Sequence, residues 1–228
     1  MANNDVVRCD DATVLIVDDD ADMRCALSNL LHSVGLSHQP FSSAEEFLIV
    51  GPPETPACMV LEVRLRGISG LMLQTRLART ERSLPIILVS GHADFTMGIN
   101  AMKAGAIDFI CKPFRDQHLL NAIYRGLDLD RRRYQRAHDL ARLRARFDSL
   151  TRRERQVLAL ATQGLLNKQV AGRIGISEAT VKMHRSQASR KMRARSFAEL
   201  VRMVDMLNMH QAGSIVEDHD QDSWASLV

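Results

Sequence analysis

The chain is poor in aromatic residues: 4% of its 228 residues, with a single tryptophan. Its four cysteines, Cys9, Cys25, Cys58 and Cys111, stand far apart, with no C-x-x-C pair among them. That spacing argues against a zinc site or a disulfide framework, and the thiols are read as reduced. No apolar run approaches the ~18 residues that a membrane-spanning helix needs. The opening stretch carries Asp5, Asp10 and Asp11 and has no signal-peptide layout. The cytoplasm is therefore the expected compartment. No phosphate-cradling glycine loop and no isolated nucleophile–base pair suggests an enzyme.

What is present is a soluble-protein composition with an uneven charge. The chain is 46% hydrophobic and 25% charged, with a net charge of +3. Residues 1–129 hold 11 Lys and Arg against 16 Asp and Glu, and residues 130–210 hold 19 against 7. Residues 211–228 hold four acidic residues and no Lys or Arg. An acidic first half joined to a strongly basic second half points to nucleic acid as a partner of the second half only.

The first half alternates short apolar runs with amphipathic stretches. Strands are predicted over 13–17, 37–41, 58–62, 85–89 and 107–110. Helices are predicted over 22–34, from Ser43, over 69–79 and over 94–104. Met23, Ala26, Leu27, Leu30, Leu31 and Val34 recur at helical spacing, and Gly35 suits the cap that ends such a helix. Ser43-Ala-Glu-Glu46 has the form of a capping box. Strands alternating with helices predict a parallel sheet covered on both faces. Side chains just past the carboxyl ends of such strands converge on one crevice. Here they are Asp18 and Asp19, Glu62, Ser90 and Lys112.

This constellation resembles the receiver domain of two-component response regulators. The resemblance runs over about 12–126 and is carried by Val17-Asp-Asp-Asp20, Gly67-Ile-Ser-Gly70, Ser90-Gly91, Lys103-Ala-Gly105-Ala and Lys112-Pro113-Phe. It implies five strands in the flavodoxin-like order 2-1-3-4-5. It also implies Asp18, Asp19 and the residue at 62 as ligands for Mg²⁺, and Ser90, Phe109 and Lys112 as the switch residues. A sensor histidine kinase would be the partner, and the Lys112–Pro113 bond is expected to be cis. Two residues depart from that pattern. Glu62 stands where the family has a phospho-accepting aspartate, and Arg66 where proline is usual.

A helix is expected to continue through 127–146, which hold no Pro or Gly. This linker reads either as a solvated helix or as a short coiled coil. Beyond it the punctuation is clear. Thr151-Arg-Arg-Glu154 and Ser196-Phe-Ala-Glu199 are capping boxes, Asn167 and Ser177 are candidate caps, and Gly175 marks a tight turn. Helix, tight turn and helix form a helix-turn-helix. Residues 147–210 resemble the LuxR/NarL-type DNA-binding domain through Leu150-Thr-Arg-Arg-Glu154, Asn167-Lys-Gln-Val-Ala171, Ile176-Ser177 and Thr180-Val-Lys-Met-His184. The resemblance implies a four-helix domain bound to double-stranded DNA as a homodimer, with the last helix as a dimer contact. Ala179, Met183 and Met192 are expected to face the core. Lys182 and Arg185 are expected at base edges or adjacent phosphates. Lys168, Ser177, Thr180, Arg190 and Lys191 are expected at phosphates, with His184, Ser186 and Gln187 also on the binding face. Residues 1–12 read as a polar arm, 13–126 as the receiver-like domain and 211–228 as a mobile acidic tail.

The function expected is a DNA-binding transcription regulator with an atypical receiver. Glu62 adds one methylene to the acceptor side chain, and in-line transfer is sensitive to misplacement on the order of 1 Å. Three readings stay open: a phosphorylation-independent, active-like receiver; a silent site kept for packing; and a site still switched by phosphorylation or Mg²⁺. The alternative in another class is a signalling adaptor that binds protein partners. Arg66 is read either as a solvent-facing loop residue or as a positive charge standing in for part of Mg²⁺.

Overall fold

The computed structural model describes residues 12–80, 82, 84–91 and 95–217. The polar arm up to residue 11, His92 and the tail from 218 lie outside the described residues.

Apolar residues follow one another almost without a polar break in β1 (Thr13–Val17), β3 (Ala57–Glu62) and β4 (Ile86–Ser90). Such runs suit strands buried on both faces. With β2 (Ser37–Phe41) and β5 (Asp108–Cys111) they form one parallel five-stranded sheet, ordered β2-β1-β3-β4-β5. Successive side chains of a strand point to opposite faces. Val14, Ile16, Cys58, Val60, Ile87 and Val89 accordingly pack with Leu27, Leu31, Leu119 and Ile123 in one layer. Leu15, Val17, Met59, Leu61, Ile86 and Leu88 pack with Phe47, Leu73 and Ala101 in the other. Each fully buried side chain of this size contributes about 1.5–3 kcal/mol through apolar burial.

The helices that supply those layers are α1 (Ala21–Ser33), α2 (Ala44–Val50), α3 (Gly70–Leu77), α4 (Phe95–Lys103) and α5 (Asp116–Asp148). Their caps follow the sequence closely. Asp20 accepts from Asp22 N and Met23 N at the start of α1, Gly35 follows its end at φ +71°, and Ser69 accepts from Met72 N at α3. At α2 the expected box is only half formed. Ser43 Oγ accepts from Glu46 N, but the Glu46 carboxylate turns to Ser42 N and Oγ, both at 2.6 Å.

Helix α5 carries two separate packing faces. Leu119, Leu120, Ile123 and Leu127 enter the receiver core, and Asp130 is also buried there. Gly126 lets α5 approach the sheet, since a Cβ at that position would sit 3.0 Å from Cys58 Cβ. Residues 132–139 are exposed, and then Leu140, Leu143 and Phe147 join a different core. The expected linker is thus solvated only in its middle. The chain divides into two compact units between Gln135 and Arg136, inside that exposed stretch.

The second unit holds α6 (Arg152–Thr162), α7 (Asn167–Ile174), α8 (Glu178–Met192) and α9 (Phe197–Glu217). Leu150, Leu158, Ala188, Met192, Leu200, Val204 and Leu207 make its main core. A smaller cluster of Val157, Val170, Ala171 and Val181 lies under the α7–α8 turn. Helix α9 runs to Glu217, into residues expected to belong to the tail. No helix among the described residues is long and apolar enough to cross a membrane.

Candidate functional site

The crevice at the carboxyl ends of the strands is built by the residues that end them. Asp18 follows β1 and is 3% exposed, Glu62 ends β3 at 5%, and Ser90 ends β4 at 0%. Lys112 follows β5, and its peptide bond to Pro113 is cis. Lys112 Nζ lies 2.7 Å from Glu62 Oε2 and 2.9 Å from Asp18 Oδ2. The other oxygens of those carboxylates accept backbone N–H groups. Asp20 N donates to Asp18 Oδ1 at 2.9 Å, and Arg64 N donates to Glu62 Oε1 at 3.1 Å. Burial alone would lower the Lys112 ammonium. The hydrogen bonds and charges of Glu62 and Asp18 outweigh that and raise it above its ordinary 10.5.

Two more cations border the crevice. Arg66 Nε stands 3.3 Å from Asp19 Oδ2, on a side chain 93% exposed. Arg24 Nη1 donates to the Asp18 carbonyl at 2.6 Å, a contact that sequence spacing did not single out. The β3–α3 loop is fixed by close approach: a Cβ on Gly70 would sit 2.2 Å from the Glu62 carbonyl oxygen. Phe109 is partly buried, and its ring faces Gly98 of α4. The sheet therefore brings Asp18, Asp19, Glu62, Ser90 and Lys112 to one end, as the alternation of strands implied. No group of three or more His, Cys, Asp or Glu among the described residues is arranged to hold a metal ion.

At the other end of the sheet, Asp130 Oδ2 accepts from Ala57 N at 2.8 Å and lies 3.8 Å from Arg82 Nη2. Arg82 also donates to the Pro53 and Thr55 carbonyls. Burial pushes the Asp130 carboxyl above its ordinary 3.8, against the Ala57 hydrogen bond and the Arg82 and Arg133 charges.

In the second unit Thr151 and Glu154 form the expected reciprocal box at α6. The glutamate does more than cap. Glu154 is 2% exposed and also accepts from Lys191 Nζ at 2.7 Å. Burial would raise its carboxyl, but Lys191 and the Thr151 contacts hold it below its ordinary 4.5. Lys191, expected at a phosphate, is thus engaged inside the domain. Arg185 is engaged too. Its Nη1 donates to Asn167 Oδ1 at 2.5 Å, and its guanidinium lies 4.3 Å from the centre of the Phe197 ring. This explains why Asn167 does not cap α7. Leu166 stands at the cap position instead, and Gln169 Oε1 accepts from its N–H.

On the buried side of α8, only Met192 of the three expected residues is found. Val181, Ala188 and Met192 face the core, while Ala179 and Met183 are exposed with Lys182, Ser186 and Arg190. The expectation for Ala179 and Met183 took apolar character for burial. Val181 sets a spacing of seven and then four through Ala188 and Met192, and at 3.6 residues per turn that face lies roughly opposite Ala179 and Met183. His184 and Gln187 are half-buried, and His184 Nδ1 is buried without a partner. Ser177 caps α8 through Thr180 N, and Gly175 takes φ +71° at the turn. Lys168 is exposed at the start of α7.

Comparison with known proteins agrees with this architecture. Residues 14–124 match the response regulator receiver domain, and residues 148–204 match the luxR family of bacterial regulatory proteins. The chain is 47% identical over 198 residues to nodulation protein W of Bradyrhizobium diazoefficiens, covering 87% of each chain. It is 44% identical to the response regulator protein TmoT of Ectopseudomonas mendocina, covering 86% of this chain and 90% of that one. Among solved structures it is similar to the response regulator StyR, with 45% identity and a TM-score of 0.78 over 86% of this chain and 99% of the other. TmoT and StyR are themselves response regulators. A receiver sheet of order 2-1-3-4-5 followed by a luxR-type helix-turn-helix unit makes this chain a DNA-binding transcription regulator of the response regulator family.

Proposed function

We propose that this regulator binds its operator without needing a phosphoryl donor, because Glu62 keeps the receiver crevice latched. The observation that carries the reading is the 2.7 Å contact between Glu62 Oε2 and Lys112 Nζ, with Lys112 shared by Asp18 at 2.9 Å. A phosphorylated acceptor presents oxygens carrying −1.5 to −2 charge to a lysine and a hydroxyl. Glu62 brings a single negative charge to the same lysine on a longer arm. The extra methylene also takes its carboxylate away from the position at which an aspartate would attack. A sensor histidine kinase then has no acceptor of the usual length to charge.

In the second unit, the exposed face of α8 is the DNA-reading surface. Lys182, Met183, Ser186 and Arg190 are open on it, and Ser177 and Thr180 sit at its amino end. Recognition helices put such amino-terminal residues against base edges, while Lys and Arg contacts to phosphate supply most of the affinity. Lys182 and Ser186 read the groove, Lys168, Ser177, Thr180 and Arg190 meet phosphates, and His184 and Gln187 flank them. Arg185 and Lys191 hold α8 against α7, α9 and α6 rather than touching DNA freely. A homodimer on two half-sites fits this geometry, with α9 supplying Met206 at 52% exposure as part of the contact.

The test is operator binding by the purified chain with and without a small-molecule phosphoryl donor. Equal affinity in the two states is expected. A Glu62→Asp variant acquires a donor-dependent rise, and Glu62→Ala binds more weakly than the parent. A donor-dependent rise in the unaltered protein defeats the reading. Lys182→Ala lowers operator affinity by about 10-fold, in line with the ~1–3 kcal/mol of a base contact.

A further inference from the structure

The receiver resemblance implies Mg²⁺ in the crevice, and the side chains found there do not fit that ion. We infer that Lys112 and Arg66 together take the cation's place, leaving a crevice neutralised from within. The inference rests on the reading of Glu62 as a latch and concerns the metal rather than DNA.

The argument is an account of the oxygens. Mg²⁺ requires near-octahedral oxygen ligands at about 2.0–2.1 Å and sheds its water reluctantly. Asp18 Oδ1 and Oδ2 are used by Asp20 N and Lys112, and Glu62 Oε1 and Oε2 by Arg64 N and Lys112. Asp19 Oδ2 is used by Arg66. Five carboxylate oxygens thus already serve protein donors. To bind the ion, Glu62 or Asp18 must leave an ammonium held at 2.7–2.9 Å in a nearly closed site.

The two cations carry unequal weight. Lys112 is 18% exposed and shared by two carboxylates that are themselves buried. Arg66 is 93% exposed, and an exposed pair contributes little, commonly below about 1 kcal/mol. Arg66 therefore covers the remaining carboxylate, while the length of Glu62 does most of the excluding. A shorter acid at 62 draws its carboxylate back from Lys112 toward the ordinary acceptor position. Removing Arg66 frees Asp19.

The experiment is thermal melting of the full chain in chelator and in 10 mM MgCl₂, with ionic strength matched by NaCl. Ligand binding to the folded state raises the midpoint in proportion to ln(1 + [Mg²⁺]/Kd). The unaltered protein is expected to melt within about 1 °C in the two buffers, whereas Glu62→Asp with Arg66→Pro rises by about 3 °C or more. Glu62→Asp alone gains the larger part of that rise. A parent chain stabilised as strongly as the double variant overturns the inference. So does a double variant that folds, by circular dichroism, and ignores the ion. Donor-dependent operator binding in the parent would defeat the latch without touching this melting result, so the two failures are separable.

Discussion

Each unit contains a lysine held at 2.7 Å by a buried glutamate: Lys112 by Glu62 in the receiver, and Lys191 by Glu154 in the DNA-binding unit. The pairs look alike and do different work. Lys112 joins the ends of β1, β3 and β5, and two buried carboxylates share it. Lys191 joins α8 to the first turn of α6, where Glu154 already satisfies the Thr151 N–H. The receiver pair sits where the fold gathers chemistry, and the other sits where a helix needs a cap. The lesson is that a Lys–Glu contact takes its meaning from the other bonds of the glutamate, not from its distance.

Breaking the two pairs sharpens the contrast. Lys112→Ala leaves Glu62 and Asp18 buried without their cation. It is expected to destabilise the receiver by about 3 kcal/mol, the lower end for a broken buried pair because some solvent reaches the site. Urea unfolding monitored on the receiver unit measures this. Glu154→Ala removes a cap acceptor and the Lys191 partner, for about 1–2 kcal/mol, and leaves only a half-exposed lysine behind. Its loss falls on the unfolding of residues 136–228 rather than on the crevice.

The pairs also fail at opposite ends of the pH scale. Lys112 has a raised value in the folded state. Its stabilisation is fully present below the ordinary 10.5 and is lost as pH rises through the folded value. Glu154 has a lowered value. Its stabilisation is present above the ordinary 4.5 and is lost as pH falls through the folded value. Stability of the parent measured against pH is expected to drop at both ends. Lys112→Met flattens the alkaline limb alone, and Glu154→Gln the acid limb alone. A common loss of both limbs in either variant would break the comparison.

The smallest effect belongs to Asp130. Its raised carboxyl makes the ionised form unfavourable, so its contribution is best below its ordinary value and is lost as pH rises through the folded one. Asp130→Asn keeps an oxygen for Ala57 N and removes the buried charge. The change at neutral pH is expected to lie between zero and about 1 kcal/mol of added stability, read by the same denaturation.

Much of this was legible in the chain itself. Strand runs ending in Asp18, Glu62 and Ser90 were enough to predict one crevice, because a parallel sheet leaves no other outlet for its strand ends. Thr151 and Ser177 announced their helices because a cap is decided within three or four residues. The pairs that escaped prediction are long-range. Asp130 reaches Ala57 across 73 residues, Lys191 reaches Glu154 across 37, and Arg185 reaches Asn167 across 18. No local pattern encodes them, and each turned a residue that looked free into one that is engaged. The rotation of α8 was missed for a related reason. Ala179 and Met183 are apolar, but only the position of Val181 over Val170 and Val157 decides which side of the helix is inside.

Cys58 gives the chain a built-in clock. Its Sγ donates weakly to the Ile123 carbonyl at 3.8 Å, α5 closes over it at Gly126, and burial pushes the thiol far up. Cys25 and Cys111 lie open to reagent. With every other cysteine replaced by serine, an alkylating agent can mark position 58 only during moments when α5 lifts from the sheet. The labelling rate then times the opening of the receiver and follows how a change at Glu62 or Asp130 hastens or delays it.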